Sequence, residues 1–110
     1  EIENYPFIKL HIINNYSMLF EITGTEKNLK PYMFMAHTDV VPVQTQIDRW
    51  SQPPFDAKIV DGFIYARGTL DDKSSMMSNL EAVRLYLKKN GQPKRSLYLA
   101  YGHDEELNGH

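Results

Sequence analysis

Residues 71–101 read DDKSSMMSNLEAVRLYLKKNGQPKRSLYLAY, and the pattern of this stretch decides the fold class. Apolar residues recur at spacings of three and four along residues 72–89, which predicts an amphipathic helix. Asn90 and Gly91 are residues that end helices. Residues 96–101 are then rich in aromatic and aliphatic side chains and predict a strand.

Further strand signals precede this helix. Residues 8–13 and 17–23 predict a β-hairpin, with Asn14 and Asn15 as turn formers between them. Residues 32–36 form a short apolar run that is typical of a strand covered on both faces. The order of strand, helix and strand predicts an α/β fold with a mostly parallel sheet flanked by helices.

The segment between the third predicted strand and the helix has two parts. Residues 42–58 contain three prolines and no period, which predicts an irregular surface loop anchored by Trp50 and Phe55. Residues 59–65 predict a tight hairpin around their Asp-Gly pair.

The composition limits the possible functions. The chain has 110 residues, 42% of them hydrophobic, and a formal net charge of -2. These values predict a globular chain with at most one domain, and the charge gives no reason to expect nucleic acid as a partner. No apolar run approaches the roughly 18 residues that a membrane span needs. The chain starts at Glu1 and stops at His110 after a polar motif, so we expect residues 1–110 to be the amino-terminal part of a larger catalytic domain.

Three polar clusters lie at comparable positions, two after strands and one before the helix: His37 with Asp39, Asp71 with Asp72, and Glu105 with Glu106. Ligands collect at the carboxyl edge of parallel strands, so these clusters are expected to converge. Imidazole and carboxylate groups are ligands that zinc accepts.

The spacing within each cluster indicates roles. Asp39 can orient the ring of His37, because residues i and i+2 of an extended chain point to the same side. An aspartate at the start of the helix can cap it or bridge two metals. Of two adjacent glutamates, one can bind a metal while the other takes a proton from water.

Each cluster also has a structural interpretation. A single histidine after a strand is more often a hydrogen-bonded structural residue than a ligand, and an acidic run is most simply a solvated loop. His11 is expected on the sheet surface. His103 and His110 are expected to be exposed rather than functional.

Taken together, these residues resemble a known family. "HTDVVPV", "W", "PPF", "DGFIYARGTLDDK" and "GHDEE" follow one another as do the signatures of the dinuclear zinc exopeptidases and amidohydrolases, which include carboxypeptidase S, carboxypeptidase G and the aminoacylases. The resemblance covers the chain from about Ser17 onward and is closest to the branch of carboxypeptidase S and the N-fatty-acyl-amino-acid synthase/hydrolases.

The resemblance implies a role for each matching residue. His37 would bind one zinc ion and Asp39 would orient it, while Asp71 would bridge the two zinc ions. Glu105 would be the general base, and Glu106 would bind the other zinc ion.

The same motifs imply structural roles nearby. Arg67 and Gly68 would shape the turn before Asp71, and Lys73 would close the motif, which leaves Asp72 without a metal. Ala66 departs from the glycine that is usual in close relatives, a change that a negative φ would tolerate.

The resemblance implies a zinc-dependent hydrolase that cleaves amide bonds with water activated by two Zn²⁺ ions, acting on small peptides or N-acyl amino acids. Further metal ligands and a dimerisation domain would lie beyond His110, so this part of the protein alone is expected to be inactive, and a homodimer would form through the absent domain. The resemblance and the glycosylation pattern at Asn15 favour a secreted, vacuolar or lysosomal location. Alternatives are a hydrolase of another substrate class, an amidase working in the synthetic direction, and a non-catalytic relative that keeps the fold as a binding module.

Overall fold

The computed structural model describes residues 2–109, apart from the side chain of Gln46. Its strands are β1 (Ile8–Ile13), β2 (Ser17–Ile22), β3 (Tyr32–His37), β4 (Lys58–Val60), β5 (Phe63–Tyr65) and β6 (Leu97–Gly102), and its long helix is α1 (Ser74–Asn90). Short 3-10 turns occupy Ile2–Asn4, Gln44–Arg49 and Glu105–Leu107, and an irregular turn at Thr69–Lys73, in which Asp71 and Asp72 are non-helical, precedes α1. No helix of this part of the chain is long and apolar enough to cross a membrane.

The main sheet has the strand order β1-β2-β6-β3. β2 pairs antiparallel with both β1 and β6, while β3 pairs parallel with β6, so that Phe34 lies beside Leu99. A tight turn can join only antiparallel strands, whereas the connection through α1 permits the parallel pair. The α/β class is therefore confirmed, but the described sheet is mixed rather than mostly parallel.

Both predicted hairpins are confirmed. Asn14 and Asn15 have φ values of 50° and 67°, and the N–H of Tyr16 donates to the carbonyl of Ile13. Positive φ at both central residues of such a turn matches the twist of the paired strands, and asparagine tolerates it better than most residues. The Asp-Gly pair between β4 and β5 has the same left-handed backbone.

The helix begins later than its pattern predicted. α1 starts at Ser74 and its N-cap residue is Lys73, with no side-chain hydrogen bond to this helix end, so neither Asp71 nor Asp72 caps it. The prediction that one of them caps the helix is therefore wrong. The predicted end is confirmed: Gly91 has a φ of 71° and its N–H donates to the carbonyl of Leu87.

The hydrophobic core lies between α1 and the sheet, and its buried side chains are Ile22, Leu87, Leu99 and Tyr101. β3 lies at the edge of the sheet, and its side chains from Tyr32 to Met35 are exposed. The prediction of a strand covered on both faces is thus wrong for the described part of the chain, because the first four side chains of β3 point to both faces and all are exposed.

The predicted surface loop is only partly irregular. Trp50 is half-buried and its ring lies 5.1 Å from the guanidinium carbon of Arg67. Phe55 is 66% exposed and does not anchor the loop, which corrects that prediction. Val43 and Pro54 are the buried residues instead, and the carbonyl of Pro54 accepts a hydrogen bond from the N–H of Arg67.

Candidate metal centre

The three polar clusters converge at one edge of the sheet. β3 and β6 are parallel neighbours, and His37 at the end of β3 lies beside Gly102 at the end of β6. The segments that follow these two strands therefore leave the sheet side by side, as expected for the carboxyl edge. The turn before α1 also contacts β3, and Asp71 in this turn reaches His37 at the end of the strand.

His37 lies at the centre of this arrangement and is only 7% exposed. Its Nδ1 atom lies 3.2 Å from Oδ1 of Asp39 and 3.1 Å from the carbonyl oxygen of the same residue. Since both neighbours are oxygens, Nδ1 can donate a hydrogen to Asp39. Its Nε2 atom lies 3.0 Å from Oδ1 of Asp71, so this nitrogen faces the other acidic groups.

Three of the predicted residues form a group suited to a metal ion. One ligand atom from each of His37, Asp71 and Glu106 lies within 4.8 Å of the other two. One imidazole and two carboxylates match the donor set of zinc sites, and the bond between Nδ1 and Asp39 leaves Nε2 as the ligand nitrogen. The residues present therefore fit a divalent metal.

Glu105 lies beside this group without belonging to it. Its Oε2 atom is 3.7 Å from Nε2 of His37, and its side chain is 65% exposed. Asp72 is half-buried and, among the described residues, is not part of the group that contains Asp71. An exposed carboxylate next to a metal site can exchange protons with water, which is the requirement for a general base.

Asp39 connects two of the segments. Besides its contact with His37, its Oδ2 atom accepts a hydrogen bond of 2.9 Å from the backbone N–H of Glu106. Burial raises the pKa of Asp39, but the backbone N–H groups of Glu106, Asp39 and Glu105 outweigh it and the pKa is lowered. Asp39 is therefore held as a carboxylate.

The pKa of His37 is shifted in the opposite direction. Burial lowers the pKa of the imidazole, but the hydrogen bond with Asp71 and the charges of Asp39 and Glu105 more than compensate, and the pKa is raised. The acidic surroundings of His37 thus stabilise a positive charge at this position, and a metal cation is one such charge.

The turn that presents Asp71 depends on Gly68. Its φ is 86°, and a Cβ atom added there would lie 2.5 Å from Cγ1 of Val40. Only glycine fits this combination of backbone angle and contact. Ala66 is not among the residues with positive φ, so its methyl group is tolerated as expected.

The remaining histidines differ in their surroundings. His11 lies on the sheet surface with Nε2 3.0 Å from a carboxylate oxygen of Glu21, which confirms its expected position. His103 is only partly exposed, and its Nδ1 atom lies 2.6 Å from Oγ of Ser17, so the expectation of an exposed residue is wrong. These two residues are 86 positions apart, and no local pattern could have indicated the contact. His110 lies outside the described residues.

Comparison with known proteins identifies the family. Residues 33–110 match the profile of Peptidase family M20/M25/M40, and the chain belongs to this family. It is 47% identical over 103 residues to the N-fatty-acyl-amino acid synthase/hydrolase PM20D1 of Homo sapiens, a match that covers 94% of this chain and 20% of that protein. It is 46% identical over 105 residues to the probable carboxypeptidase S-like 2 of Dictyostelium discoideum, a match that covers 96% of this chain and 20% of that protein.

A solved structure gives the same assignment. The M20 family metallo-carboxypeptidase Sso-CP2 of Sulfolobus solfataricus has a TM-score of 0.78 and 32% sequence identity, and the match covers 91% of this chain and 23% of that chain. The fold is therefore that of part of an M20 peptidase domain. The chain spans about a fifth of the length of the curated relatives that it matches.

Proposed function

We propose that the chain is the amino-terminal part of the catalytic domain of a zinc-dependent hydrolase that cleaves amide bonds. The observation that supports this most directly is the convergence of His37, Asp71 and Glu106 within 4.8 Å, at the sheet edge where Glu105 also lies. Family membership supports the same reaction class.

In this proposal His37, Asp71 and Glu106 would hold the metal, and Asp71 would serve both Zn²⁺ ions of the intact protein. Bound zinc supplies Lewis acidity toward water and toward an amide carbonyl. Asp39 fixes the ring of His37 through Nδ1, while Glu105 takes a proton from the attacking water and delivers it to the departing amine. Because Asp71 would be shared, each of the two ions would have only two protein ligands from residues 1–110. A catalytic zinc ion usually has three, so residues 1–110 alone would bind metal weakly and show little turnover.

The proposed substrates are small peptides cleaved at their carboxyl terminus or N-acyl amino acids. This choice is supported by the names of the similar proteins, which are carboxypeptidases and N-fatty-acyl-amino acid synthase/hydrolases. Parallel assays of the full-length protein with dipeptides and with N-fatty-acyl amino acids, in both the hydrolytic and the synthetic direction, would discriminate between the two classes.

The replacement Glu105→Gln in the full-length protein tests the proposed reaction. The variant should retain bound metal and lose at least about a hundredfold in kcat, because the amide cannot accept the proton from water. Glu26→Gln, in the turn after β2, is the matched control and should hydrolyse substrate at the wild-type rate. Unchanged hydrolysis by Glu105→Gln would remove the base assignment.

Removal of metal provides a second test of the proposed function. A chelator should abolish hydrolysis, and addition of zinc, cobalt or manganese should restore it. Full-length protein that binds metal but cleaves neither substrate class would favour the non-catalytic binding module.

We also propose a secretory, vacuolar or lysosomal location and a homodimer formed through a domain outside this chain. Asn15 is exposed at the turn between β1 and β2, where a glycan could be attached without disturbing the sheet. A mobility shift on glycosidase treatment, absent in Asn15→Gln, would support this location, and size-exclusion chromatography of the full-length protein would test the dimer.

A further inference from the structure

Thr38 lies between His37 and Asp39 and uses three of its polar groups to bind two other segments. Its backbone N–H and its Oγ1 hydroxyl both donate to the carbonyl of Gly102, at 2.8 and 3.0 Å. Its own carbonyl accepts a hydrogen bond from Nζ of Lys73. Thr38 therefore forms a junction, here called the Thr38 junction, made of Thr38, Lys73 and Gly102.

Each member of the Thr38 junction is close in sequence to a proposed site residue. Lys73 follows Asp71 by two positions, and Gly102 is three positions before Glu105. The junction thus joins the segments that present the imidazole, the proposed bridging carboxylate and the pair of glutamates. The backbone N–H of Lys73 also donates to the carbonyl of Gly68 at 3.0 Å, so the turn around Asp71 is held at both ends.

The stability of α1 does not explain a lysine at position 73. Lys73 is the N-cap residue of α1, and no side-chain hydrogen bond caps this helix end. The helix dipole makes a positive charge unfavourable there. Among residues 2–109 the ammonium group forms no ion pair either, although Asp72 is its neighbour in sequence. Its contact with the carbonyl of Thr38 is the feature that accounts for its position.

We propose that Lys73 is a positioning residue for the metal centre. Its ammonium group binds the carbonyl between His37 and Asp39 and so holds the turn that carries Asp71 against the end of β3. This inference rests on the proposed function, because it concerns the placement of the same metal ligands.

The test uses the full-length protein with Lys73→Met, which keeps most of the side-chain length and removes the donor. Loss of a group that supports metal ligands typically costs about 10–100-fold in metal affinity or activity. Lys73→Met should therefore show a loss of about 10–100-fold in cobalt affinity or in kcat. Its KM should stay within about twofold of the wild-type value. The absorption spectrum of bound cobalt should also change, because the ligands of the ion are displaced.

Two further variants separate positioning from a general effect of charge. Lys73→Arg retains a long cationic donor and should restore most of the lost cobalt affinity. Lys89→Met removes an exposed lysine from the other end of α1 and should match wild type in cobalt affinity, cobalt spectrum and kcat. If Lys73→Met does not fold, Lys73→Gln is used, whose side chain is shorter than that of lysine and uncharged, and it should give the same loss.

Wild-type cobalt affinity and spectrum in Lys73→Met would overturn the proposal. A lowered melting temperature that fully accounts for the loss, without rescue by Lys73→Arg, would also overturn it by making the role purely structural. Failure of the proposed function would look different from failure of the Lys73 proposal. If the proposed function fails, wild-type protein binds cobalt without hydrolysing substrate, and the cobalt spectrum of Lys73→Met still shows whether Lys73 positions the ligands.

Discussion

The Oδ2 atom of Asp39 lies 2.9 Å from the backbone nitrogen of Glu106, although the two residues are 67 positions apart. The other carboxylate oxygen of Asp39 faces Nδ1 of His37 at 3.2 Å. The carboxylate of Asp39 thus contacts the side chain of one proposed metal ligand, His37, and the backbone of a second, Glu106. The relative placement of these two ligands depends on both oxygens accepting hydrogen bonds.

Replacement of Asp39 by asparagine should disrupt this arrangement. An asparagine amide has one acceptor oxygen, so its NH₂ group must face either the N–H of His37 or that of Glu106. Asp39→Asn in the full-length protein should lose about 10–100-fold in zinc affinity or kcat, as is typical when a partner of a metal ligand is removed. Zinc titration and steady-state kinetics would measure the loss.

The matched control for this variant is Asp56→Asn, which changes an exposed aspartate in the loop before β4. It should leave both quantities at their wild-type values. Equal zinc affinity in Asp39→Asn and Asp56→Asn would show that the contacts of Asp39 do not position the ligands.

The local elements of this chain were predictable because their signals lie within a few residues. Asn14 and Asn15 mark the first turn through their tolerance of positive φ, and Gly91 ends α1 for the same reason. The grouping of His37 with Asp71 was predictable from topology, since polar residues at strand ends collect at one edge of a sheet.

The incorrect predictions concern non-local partners or residues with two possible uses. An apolar run such as residues 32–36 does not show whether its strand lies inside a sheet or at its edge, because that depends on strands distant in sequence. Asp71 and Asp72 match both a helix cap and a metal ligand, but in the structure Lys73 is the N-cap residue and no side-chain hydrogen bond caps the helix. The contacts between Lys73 and Thr38 and between Ser17 and His103 likewise have no local signal.

Two leucines of α1 should differ sharply in their contribution to stability. Leu87 is 4% exposed within the core, whereas Leu85, two residues earlier, is 52% exposed. Leu87→Ala should lower the free energy of unfolding by about 2–5 kcal/mol through lost burial and the cavity left behind. Leu85→Ala should change it by less than about 0.5 kcal/mol, as surface substitutions usually do. Denaturant unfolding of the two full-length variants measures the difference, and similar values would contradict the packing of α1 on the sheet.

Gly24 should not tolerate a side chain. A Cβ atom there would lie 2.4 Å from the carbonyl oxygen of Lys94 and 2.5 Å from the backbone nitrogen of Ser96. Backbone atoms cannot move aside as a flexible side chain can, so Gly24→Ala should destabilise the protein by about 1–3 kcal/mol. Gly102→Ala is the control, because a Cβ atom there meets nothing within 4 Å. Equal melting temperatures for the two variants would show that the segment 94–96 lies elsewhere.

Tyr101 should make the stability of the protein fall in alkaline solution. Its side chain is buried in the core and its hydroxyl donates to the carbonyl of Met76. Burial raises the pKa of the phenol from 10.0 to about 12. Between these values the unfolded chain loses the phenolic proton while the folded chain keeps it. The contribution of Tyr101 to the free energy of unfolding is therefore complete below pH 10 and is lost as the pH rises toward 12.

The variant Tyr101→Phe isolates this contribution, because phenylalanine fills most of the same space without an ionisable group. At neutral pH it should be less stable than wild type by about 1 kcal/mol, the usual value of one hydrogen bond. A pKa difference of 1 corresponds to about 1.4 kcal/mol, so by pH 12 the free energy of unfolding of wild type should have fallen by roughly 2–3 kcal/mol relative to that of Tyr101→Phe. At that pH Tyr101→Phe should therefore be the more stable protein. Denaturant unfolding of both full-length proteins at intervals from pH 8 to pH 12 measures the difference. A difference that stays constant over this range would show that the hydroxyl of Tyr101 is in contact with water and that the core beneath α1 is open.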